Sequence, residues 1–216
     1  MLKLYDYWRS SAAYRVRIGL NLKGVAYESI PVNILPGTDE QMREPYRSIN
    51  PQMRVPALET PQGVLTQSLA ILGWLDKTYP QNPFISDDTF RAAQERAFAL
   101  TIACDIHPLN NTSVLTRIKL EFDADEDHVG EWYRHWIKLG FNALEHQAQQ
   151  RPETAYCFGD QPTLADVCLV PQMANARRFH TDLSPFPRLV AWDERARQHP
   201  AFIKAAPENQ EGAAKK

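Results

Sequence analysis

The stretch that decides the fold reads Tyr7-Trp8-Arg9-Ser10-Ser11-Ala12-Ala13-Tyr14-Arg15-Val16-Arg17-Ile18. The apolar run before it, Leu2 to Tyr7, predicts a strand, and the amphipathic run Ala13 to Lys23 predicts a helix that ends at Gly24. Ser10 and Ser11 therefore lie where a strand ends and a helix begins. A serine there can cap the helix by accepting a backbone N–H. The same helix end carries free N–H groups and partial positive charge, so it also suits an anion such as a thiolate. This stretch alone leaves both roles open.

Composition excludes several classes of function. The 216 residues are 23% charged and 44% hydrophobic, as in ordinary globular proteins. The net charge of -2 does not provide the excess of positive charge that is typical of nucleic-acid-binding proteins. No apolar run approaches the ~20 residues that a membrane helix needs. The three cysteines (Cys104, Cys157 and Cys168) have no metal-ligand spacing. Because no signal peptide precedes the first strand, we expect a cytoplasmic protein with free thiols and no metal.

The first 82 residues alternate between strand and helix patterns. Val25 to Val32 predicts a second strand, parallel to the first through a right-handed crossover. Ala57 to Glu59 and Val64 to Thr66 predict a hairpin, which Pro56 precedes. Gln67 and Ser68 then stand before another apolar helix, a second pair of polar residues at a strand-to-helix junction. The expected architecture is an α/β domain of βαβ-ββα order.

Residues 83–86 are predicted to be a linker, and beyond them the apolar residues recur with the period of a helix. We expect a helix over 89–104, a kink near Pro108, and a long amphipathic helix over 129–150. Thr163 and Asp166 have the spacing of a capping box before a further helix. A last helix is expected over 186–197, and a frayed tail from about residue 205 to 216. The predicted domains are thus 1–82 and 87–216, the second all-helical.

This order of elements, together with six separated motifs, resembles the zeta class of glutathione transferases. The motifs are Arg9-Ser10-Ser11 with Tyr14-Arg15-Val16-Arg17-Ile18, Asn50-Pro51-Gln52 with Val55-Pro56-Ala57-Leu58, Gln67-Ser68-Leu69-Ala70-Ile71, Asp105-Ile106-His107-Pro108-Leu109-Asn110-Asn111, Val170-Pro171-Gln172 with Ala174-Asn175-Ala176-Arg177-Arg178-Phe179, and Asp182-Leu183-Ser184-Pro185-Phe186-Pro187. The resemblance implies a thioredoxin-like domain that binds glutathione and an all-α domain that helps to bind the second substrate.

The resemblance also implies the site residues. Ser10 or Ser11 would hydrogen-bond the glutathione sulfur, and Val55, before a cis Pro56, would pair its backbone with the cysteinyl amide. Gln67 and Ser68 would take the γ-glutamyl carboxylate. Four further residues would line the site more loosely: Gln41, Gln52, His107 and Asn111. Where members of the class carry a cysteine after the two serines, this chain has Ala12, so side activities that need that thiol are not expected.

The implied reaction is glutathione-dependent cis–trans isomerisation of a maleyl dicarboxylate. Maleylacetoacetate, converted to fumarylacetoacetate in aromatic amino-acid catabolism, is the expected substrate. Because arginine binds carboxylates in a bidentate manner, Arg9 and Arg178 are the candidate substrate ligands, with Arg177 as the alternative on the same helix. Thr112 and Ser113 stand where relatives acting on maleylpyruvate carry an arginine, which disfavours that substrate. The protein is expected to be a homodimer.

Three alternatives stay open: a maleylpyruvate isomerase, a general glutathione transferase or α-halo acid dehalogenase, and a non-enzymatic glutathione-binding module. We further expect Arg15 and Arg17 to be solvated charges or structural ion pairs on the first helix, and Cys104 to be an inert buried thiol.

Overall fold

A computed structural model of the chain describes residues 1–213. Contacts divide the chain into two units, Met1–Pro83 with Gln198–Lys216, and Phe84–Arg197. The predicted partition placed everything after residue 87 in the helical domain. The structure instead groups the last segment with the first unit, because a C-terminal helix packs on the first helix of the chain. No helix among the described residues is long and apolar enough to cross a membrane.

The first unit is built on a four-stranded mixed sheet. Its strands are β1 (Leu2–Asp6), β2 (Tyr27–Pro31), β3 (Ala57–Thr60) and β4 (Gly63–Thr66), in the order β2-β1-β3-β4. β1 and β2 are parallel, as predicted, and β3 and β4 form the predicted hairpin with Leu58 opposite Leu65. The helices are α1 (Ser11–Leu22), α2 (Tyr46–Ile49) and α3 (Ser68–Thr78).

The core of this unit lies between the sheet and the two longer helices. Leu4 and Leu58 on the sheet are fully buried, as are Val16 on α1 and Leu72 on α3. α1 and α3 approach closely at Gly19, where an added Cβ would lie 2.3 Å from Cδ2 of Leu72. The four-residue α2 was not predicted.

The second unit is all-helical, as predicted. Its helices are α4 (Thr89–Leu100), α5 (Thr112–Phe122), α6 (Glu126–Gln149), α7 (Leu164–Arg178) and α8 (Pro187–Ala196). The helix predicted to run to residue 104 continues beyond Leu100 as a π-helical segment, Thr101–Ile106, and the predicted kink is a 3₁₀ turn at Pro108–Asn110. Cys104 lies on that segment and is exposed, so the prediction of a buried thiol was wrong.

The capping box at the start of α7 is confirmed. The Asp166 carboxylate accepts hydrogen bonds from the backbone N–H groups of Thr163, at 2.8 Å, and of Cys157, at 2.9 Å. Burial raises the pKa of this carboxyl, and those hydrogen bonds oppose the rise.

The C-terminal segment was expected to fray from about residue 205. It forms α9 (Pro200–Ala205) and a 3₁₀ turn at Pro207–Asn209, and Ala205 is fully buried. α9 packs on α1, which the small and charged composition of this segment does not reveal. Residues 214–216 of the predicted tail lie outside the described residues.

Candidate active site

Three junctions of the chain meet at one edge of the sheet. β1 and β3 are antiparallel with Tyr5 opposite Ala57, and β3 and β4 are antiparallel with Ala57 opposite Thr66. The chain therefore leaves β1 and β4 at the same edge at which it enters β3. That edge brings together three of the segments predicted from sequence to bind glutathione: the loop at Ser10, the turn at Val55, and the start of α3 at Ser68.

Ser10 is the N-cap of α1. Its backbone is extended (φ -67°, ψ 119°), and its Oγ accepts the Ala13 N–H at 3.2 Å. Because the oxygen serves as acceptor in the cap, the hydroxyl proton can be donated to an anion in front of the helix. Ser11 is the first helical residue and is 7% exposed, whereas Ser10 is half-buried. The geometry therefore favours Ser10 over Ser11 as the donor to an external group.

The two residues before Ser10 carry a cation and an aromatic ring. Arg9 is exposed, and its guanidinium carbon lies 5.6 Å from the centroid of the Trp8 ring. This distance is within the range of a cation–π interaction. Arg9 is thus a solvent-facing cation held at the edge that presents Ser10.

The turn before β3 offers main-chain groups. Val55 is buried and joined to Pro56 by a cis peptide bond, as predicted from the resemblance. Among residues 1–213, nothing accepts a hydrogen bond from the Val55 N–H or donates one to its carbonyl. Because buried backbone groups are almost always paired, this turn fits a peptide-like ligand that hydrogen-bonds both groups.

Gln67 and Ser68 lie where β4 passes into α3. Gln67 has a left-handed φ of 65°, and its side-chain Nε2 donates to Oε1 of Gln52 at 2.9 Å. Strained backbone of this kind in a residue other than glycine is concentrated at functional sites. Ser68 is the first residue of α3 and is 7% exposed; its Oγ accepts a hydrogen bond from the Arg15 guanidinium at 3.3 Å. A hydroxyl at a helix N-terminus, backed by a cation, suits a carboxylate.

Gln41 is a further residue whose side chain can be checked for its fit to a peptide ligand. It is 7% exposed on the 3₁₀ turn Glu40–Met42, where its Nε2 donates to Oδ1 of Asp39 at 3.3 Å. Its Oε1 is buried and lacks a hydrogen-bond partner within the described part of the chain. An orphaned buried acceptor is rare in native proteins and fits a ligand with N–H donors, such as a peptide.

The remaining candidates lie in the second unit. His107 is half-buried at the end of the π-helical segment, and Asn111 caps α5 by accepting the Ser113 N–H at 3.0 Å. Their placement in the fold assigns neither of them to glutathione.

The two adjacent arginines at the end of α7 have different surroundings. Arg177 forms an ion pair of 2.5 Å with Asp193, a fully buried carboxylate on α8. Arg178 lies with its guanidinium carbon 5.1 Å from the Phe179 ring centroid. Burial raises the pKa of Tyr133, and the nearby Arg178 guanidinium opposes that rise. Arg177 thus joins two helices, which leaves Arg178 as the better candidate ligand for a substrate carboxylate.

Comparison with known proteins identifies the family. Family models for the "Glutathione S-transferase, N-terminal domain" and "Glutathione S-transferase, C-terminal domain" match residues 4–83 and 122–195. A maleylacetoacetate isomerase from Pseudomonas aeruginosa is 45% identical over 97% of both chains. The holo structure of a maleylpyruvate isomerase, a bacterial zeta-class glutathione S-transferase, is 43% identical and superposes with a TM-score of 0.95 over 98% of this chain and all of that one. The chain belongs to the zeta-class glutathione S-transferase family.

A third relative has been solved with ligands bound. The maleylacetoacetate isomerase of Methylobacterium extorquens was solved with malonate and glutathione bound; it is 34% identical, with a TM-score of 0.94 over 99% of this chain and all of that one. That protein thus binds glutathione together with a dicarboxylate, malonate.

Sequence reasoning missed two buried arginines of this zeta-class chain. Arg15 is 2% exposed and Arg17 is fully buried, so neither is a solvated charge; for Arg17 the other expected role, a structural ion pair, is confirmed by its contact with Asp6. Burial raises the pKa of the Asp6 carboxyl, and the Arg17 guanidinium opposes that rise. α1 is covered on two sides, by α3 and by α9, and the second of these was not predicted.

Proposed function

We propose that the protein is a glutathione-dependent cis–trans isomerase that converts maleylacetoacetate to fumarylacetoacetate. One observation carries the proposal: the capped N-terminus of α1, the unpaired Val55 backbone and the start of α3 lie together at one sheet edge. These groups match, in order, a thiolate, a peptide and a carboxylate.

Ser10 and the end of α1 hold the sulfur. When bound, glutathione supplies a thiolate that adds reversibly to the double bond of the substrate, so that the bond can rotate. A free thiol has a pKa of about 8.5, so this sulfur must be stabilised as an anion at neutral pH. The Ser10 hydroxyl donates a hydrogen bond to it, and the partial positive charge of the helix N-terminus lowers its pKa further.

The other groups of the sheet edge hold the tripeptide. Val55 pairs its N–H and carbonyl with the cysteinyl amide. Gln67 and Ser68 bind the γ-glutamyl carboxylate, while Gln52 fixes the Gln67 side chain through its 2.9 Å hydrogen bond. Gln41 directs its unpaired Oε1 to an N–H of the ligand. His107 and Asn111 line the site without a specific bond assigned to either.

Cations bind the substrate. Arg9 and Arg178 each take one carboxylate, since an arginine fork matches a carboxylate with two parallel hydrogen bonds. Arg178→Ala is expected to raise KM for the maleyl substrate strongly and to leave glutathione affinity nearly unchanged. Arg177→Ala is the matched control, because Arg177 pairs with Asp193 and should affect stability rather than KM. An unchanged KM for Arg178→Ala removes that residue from the substrate site.

A three-substrate assay tests the reaction class. Purified protein with glutathione is given maleylacetoacetate, maleylpyruvate or 1-chloro-2,4-dinitrobenzene, and both product and free thiol are measured. Isomerisation of maleylacetoacetate without loss of thiol supports the proposal. Consumption of thiol with the aromatic chloride alone identifies a general transferase, and glutathione binding without turnover identifies a binding module.

Maleylpyruvate is the second candidate substrate. The TM-score of 0.95 to a maleylpyruvate isomerase favours it. Against it stand Thr112 and Ser113, which replace the arginine expected after the two asparagines. The ratio of kcat/KM for the two maleyl substrates decides between them.

Assembly and location complete the proposal. We place the enzyme in the cytoplasm as a homodimer; the three free cysteines suit a reducing compartment. Light scattering at micromolar concentration tests the dimer.

A further inference from the structure

Arg17 connects three segments of the first unit. Its Nη1 lies 2.6 and 2.8 Å from the two carboxylate oxygens of Asp6, at the end of β1. Its Nη2 donates to the Trp8 carbonyl at 3.0 Å, and its Nε donates to the Ala205 carbonyl, at the end of α9, at 2.9 Å. The residue is fully buried. A guanidinium has donors fixed in one plane, so these contacts together fix the relative positions of the three segments.

Trp8 is the residue that links Arg17 to Arg9. Its carbonyl is bonded to Arg17, and its ring lies 5.6 Å from the guanidinium carbon of Arg9. A Cβ built on Gly212 would lie 3.5 Å from Cδ1 of Trp8, so the C-terminal segment passes beside the indole. Trp8 is therefore fixed by Arg17 and by the C-terminal segment, and it in turn supports Arg9.

Trp8 and Arg9 are the central residues of a turn that a backbone hydrogen bond closes. The Ser10 N–H donates to the Tyr7 carbonyl at 2.8 Å, and the Ser10 carbonyl accepts the Tyr14 N–H at 2.8 Å. These bonds close the turn and attach Ser10 to α1. Arg17 adds the side-chain contact to the peptide between Trp8 and Arg9, at the centre of that turn.

We propose that Arg17 is a positioning residue for the active site: together with the C-terminal segment 198–213, it fixes the Trp8 peptide and so sets the positions of the Arg9 guanidinium and the Ser10 hydroxyl. The role in turnover rests on the proposed isomerase function. Arg17 itself contacts neither substrate nor sulfur.

A second buried ion pair in the same unit provides a matched control. Lys23 and Asp76 have side chains 0% and 5% exposed and lie 2.7 Å apart; Arg17 and Asp6 have side chains 0% and 4% exposed. Lys23 also donates to two backbone carbonyls, those of Gln81 and Asn82. Both cations thus anchor chain segments, but only Arg17 bonds to the loop that carries Arg9 and Ser10.

The experiment compares Arg17→Lys, Arg17→Met and Lys23→Met with the wild type. Four quantities are measured: stability in urea, hydrogen exchange of the amides at 8–10 without ligand, the pH titration of the bound glutathione thiolate by ultraviolet absorbance, and kcat and KM. Removing one partner of a buried pair is strongly destabilising, so both methionine variants should unfold at lower urea.

Only the Arg17 variants should alter the site. We expect faster exchange at 8–10, a higher pKa of the bound thiol, and a loss of about 10- to 100-fold in kcat/KM for the maleyl substrate, since a displacement of about 1 Å can cost ~100-fold. Arg17→Lys keeps a charge beside Asp6 but cannot reproduce the planar set of donors. It should therefore retain more stability than Arg17→Met and still show the site effects.

Two results would overturn the proposal. One is a folded Arg17→Lys with wild-type exchange, thiolate titration and kinetics; the other is the same site effects in Lys23→Met, which would make them a general consequence of lost stability. If Arg17→Met does not fold, Arg17→Lys still decides. Exchange is measured without substrate, so a wild type that isomerises no maleyl compound refutes the proposed function and leaves this test intact.

Discussion

Replacing Gly19 by alanine tests whether the close approach of α1 and α3 sets the glutathione site. A Cβ at Gly19 would lie 2.3 Å from Cδ2 of Leu72 and 3.6 Å from Cδ1 of Leu75. The first distance is more than 1 Å inside ordinary van der Waals contact. Leu72 is fully buried and cannot turn into solvent, so either its side chain must repack within the core or the helices must move apart.

The change in the free energy of unfolding caused by Gly19→Ala has two opposing contributions. Overpacking a core costs about 1–3 kcal/mol, and alanine recovers up to about 1 kcal/mol over glycine inside a helix. Gly73→Ala on α3 is the matched control, because nothing lies within 4 Å of a Cβ there and only the helix gain remains. The two variants should therefore differ by about 1–3 kcal/mol, and each 1 kcal/mol moves Tm by about 2–4 °C in a chain of this size.

Glutathione affinity provides the functional readout. Under the proposed function, the tripeptide contacts the N-terminus of α1 at its sulfur and that of α3 at its γ-glutamyl carboxylate. If the helices relieve about 1.4 kcal/mol of overpacking by separating, restoring their spacing on binding costs that energy again and weakens Kd about tenfold. Urea denaturation and titration calorimetry on Gly19→Ala and Gly73→Ala measure both effects. Equal stability and equal Kd in the two variants would refute the reasoning.

Three further predictions follow from single contacts. His199 caps α9 by accepting the Ala201 N–H at 3.2 Å, and burial lowers the pKa of its imidazole from the ordinary value of 6.5. The neutral imidazole therefore contributes to the stability of the folded protein above pH 6.5. That contribution is lost as the pH falls towards the lowered pKa. His199→Asn, which caps without titrating, should flatten the dependence of urea stability on pH over that window. Asp166→Ala leaves two buried N–H groups unpaired and should cost about 2–6 kcal/mol, at about 1–3 kcal/mol each, in a urea titration. Gly140→Ala places a Cβ 2.3 Å from Cδ1 of the buried Ile106, so it should melt below Gly73→Ala in calorimetry.

Elements stabilised by their own sequence pattern could be predicted, and elements stabilised by distant contacts could not. The strand, cap and helix at Ser10 and the register of β3 with β4 follow from local residue types. α2 and α9 have four and six residues, too short to leave a periodic pattern. Because α9 covers α1, missing it left open whether Arg17 is solvated or in a structural ion pair, and the structure shows the ion pair.

In the candidate site, too, features set by local sequence could be predicted and features set by distant contacts could not. The polar pairs at strand-to-helix junctions indicated two of the three segments that meet at the sheet edge, those at Ser10 and Ser68, and the family resemblance implied the third, at Val55. The hydrogen bond between Gln52 and Gln67 joins residues 15 apart and depends on tertiary structure. The sequence analysis named Arg178 as the candidate and Arg177 as its alternative, since only one of two adjacent helical residues can point into a given cleft. The ion pair between Arg177 and Asp193 distinguishes them, and it depends on how α7 packs against α8.

Ala12 narrows the chemistry that this sheet edge can perform. The partial positive charge at the N-terminus of α1 stabilises a nucleophile only if that nucleophile is an anion. A serine hydroxyl does not ionise near neutral pH. The residue after the two serines is alanine, and the three cysteines of the chain, at 104, 157 and 168, all lie beyond the first unit's 1–83 segment. The reacting sulfur must therefore come from a bound thiol. Under the proposed function, Ser10 is a hydrogen-bond donor to that sulfur, and Ser10→Ala should raise the pKa of the bound thiol rather than abolish a covalent step on the protein.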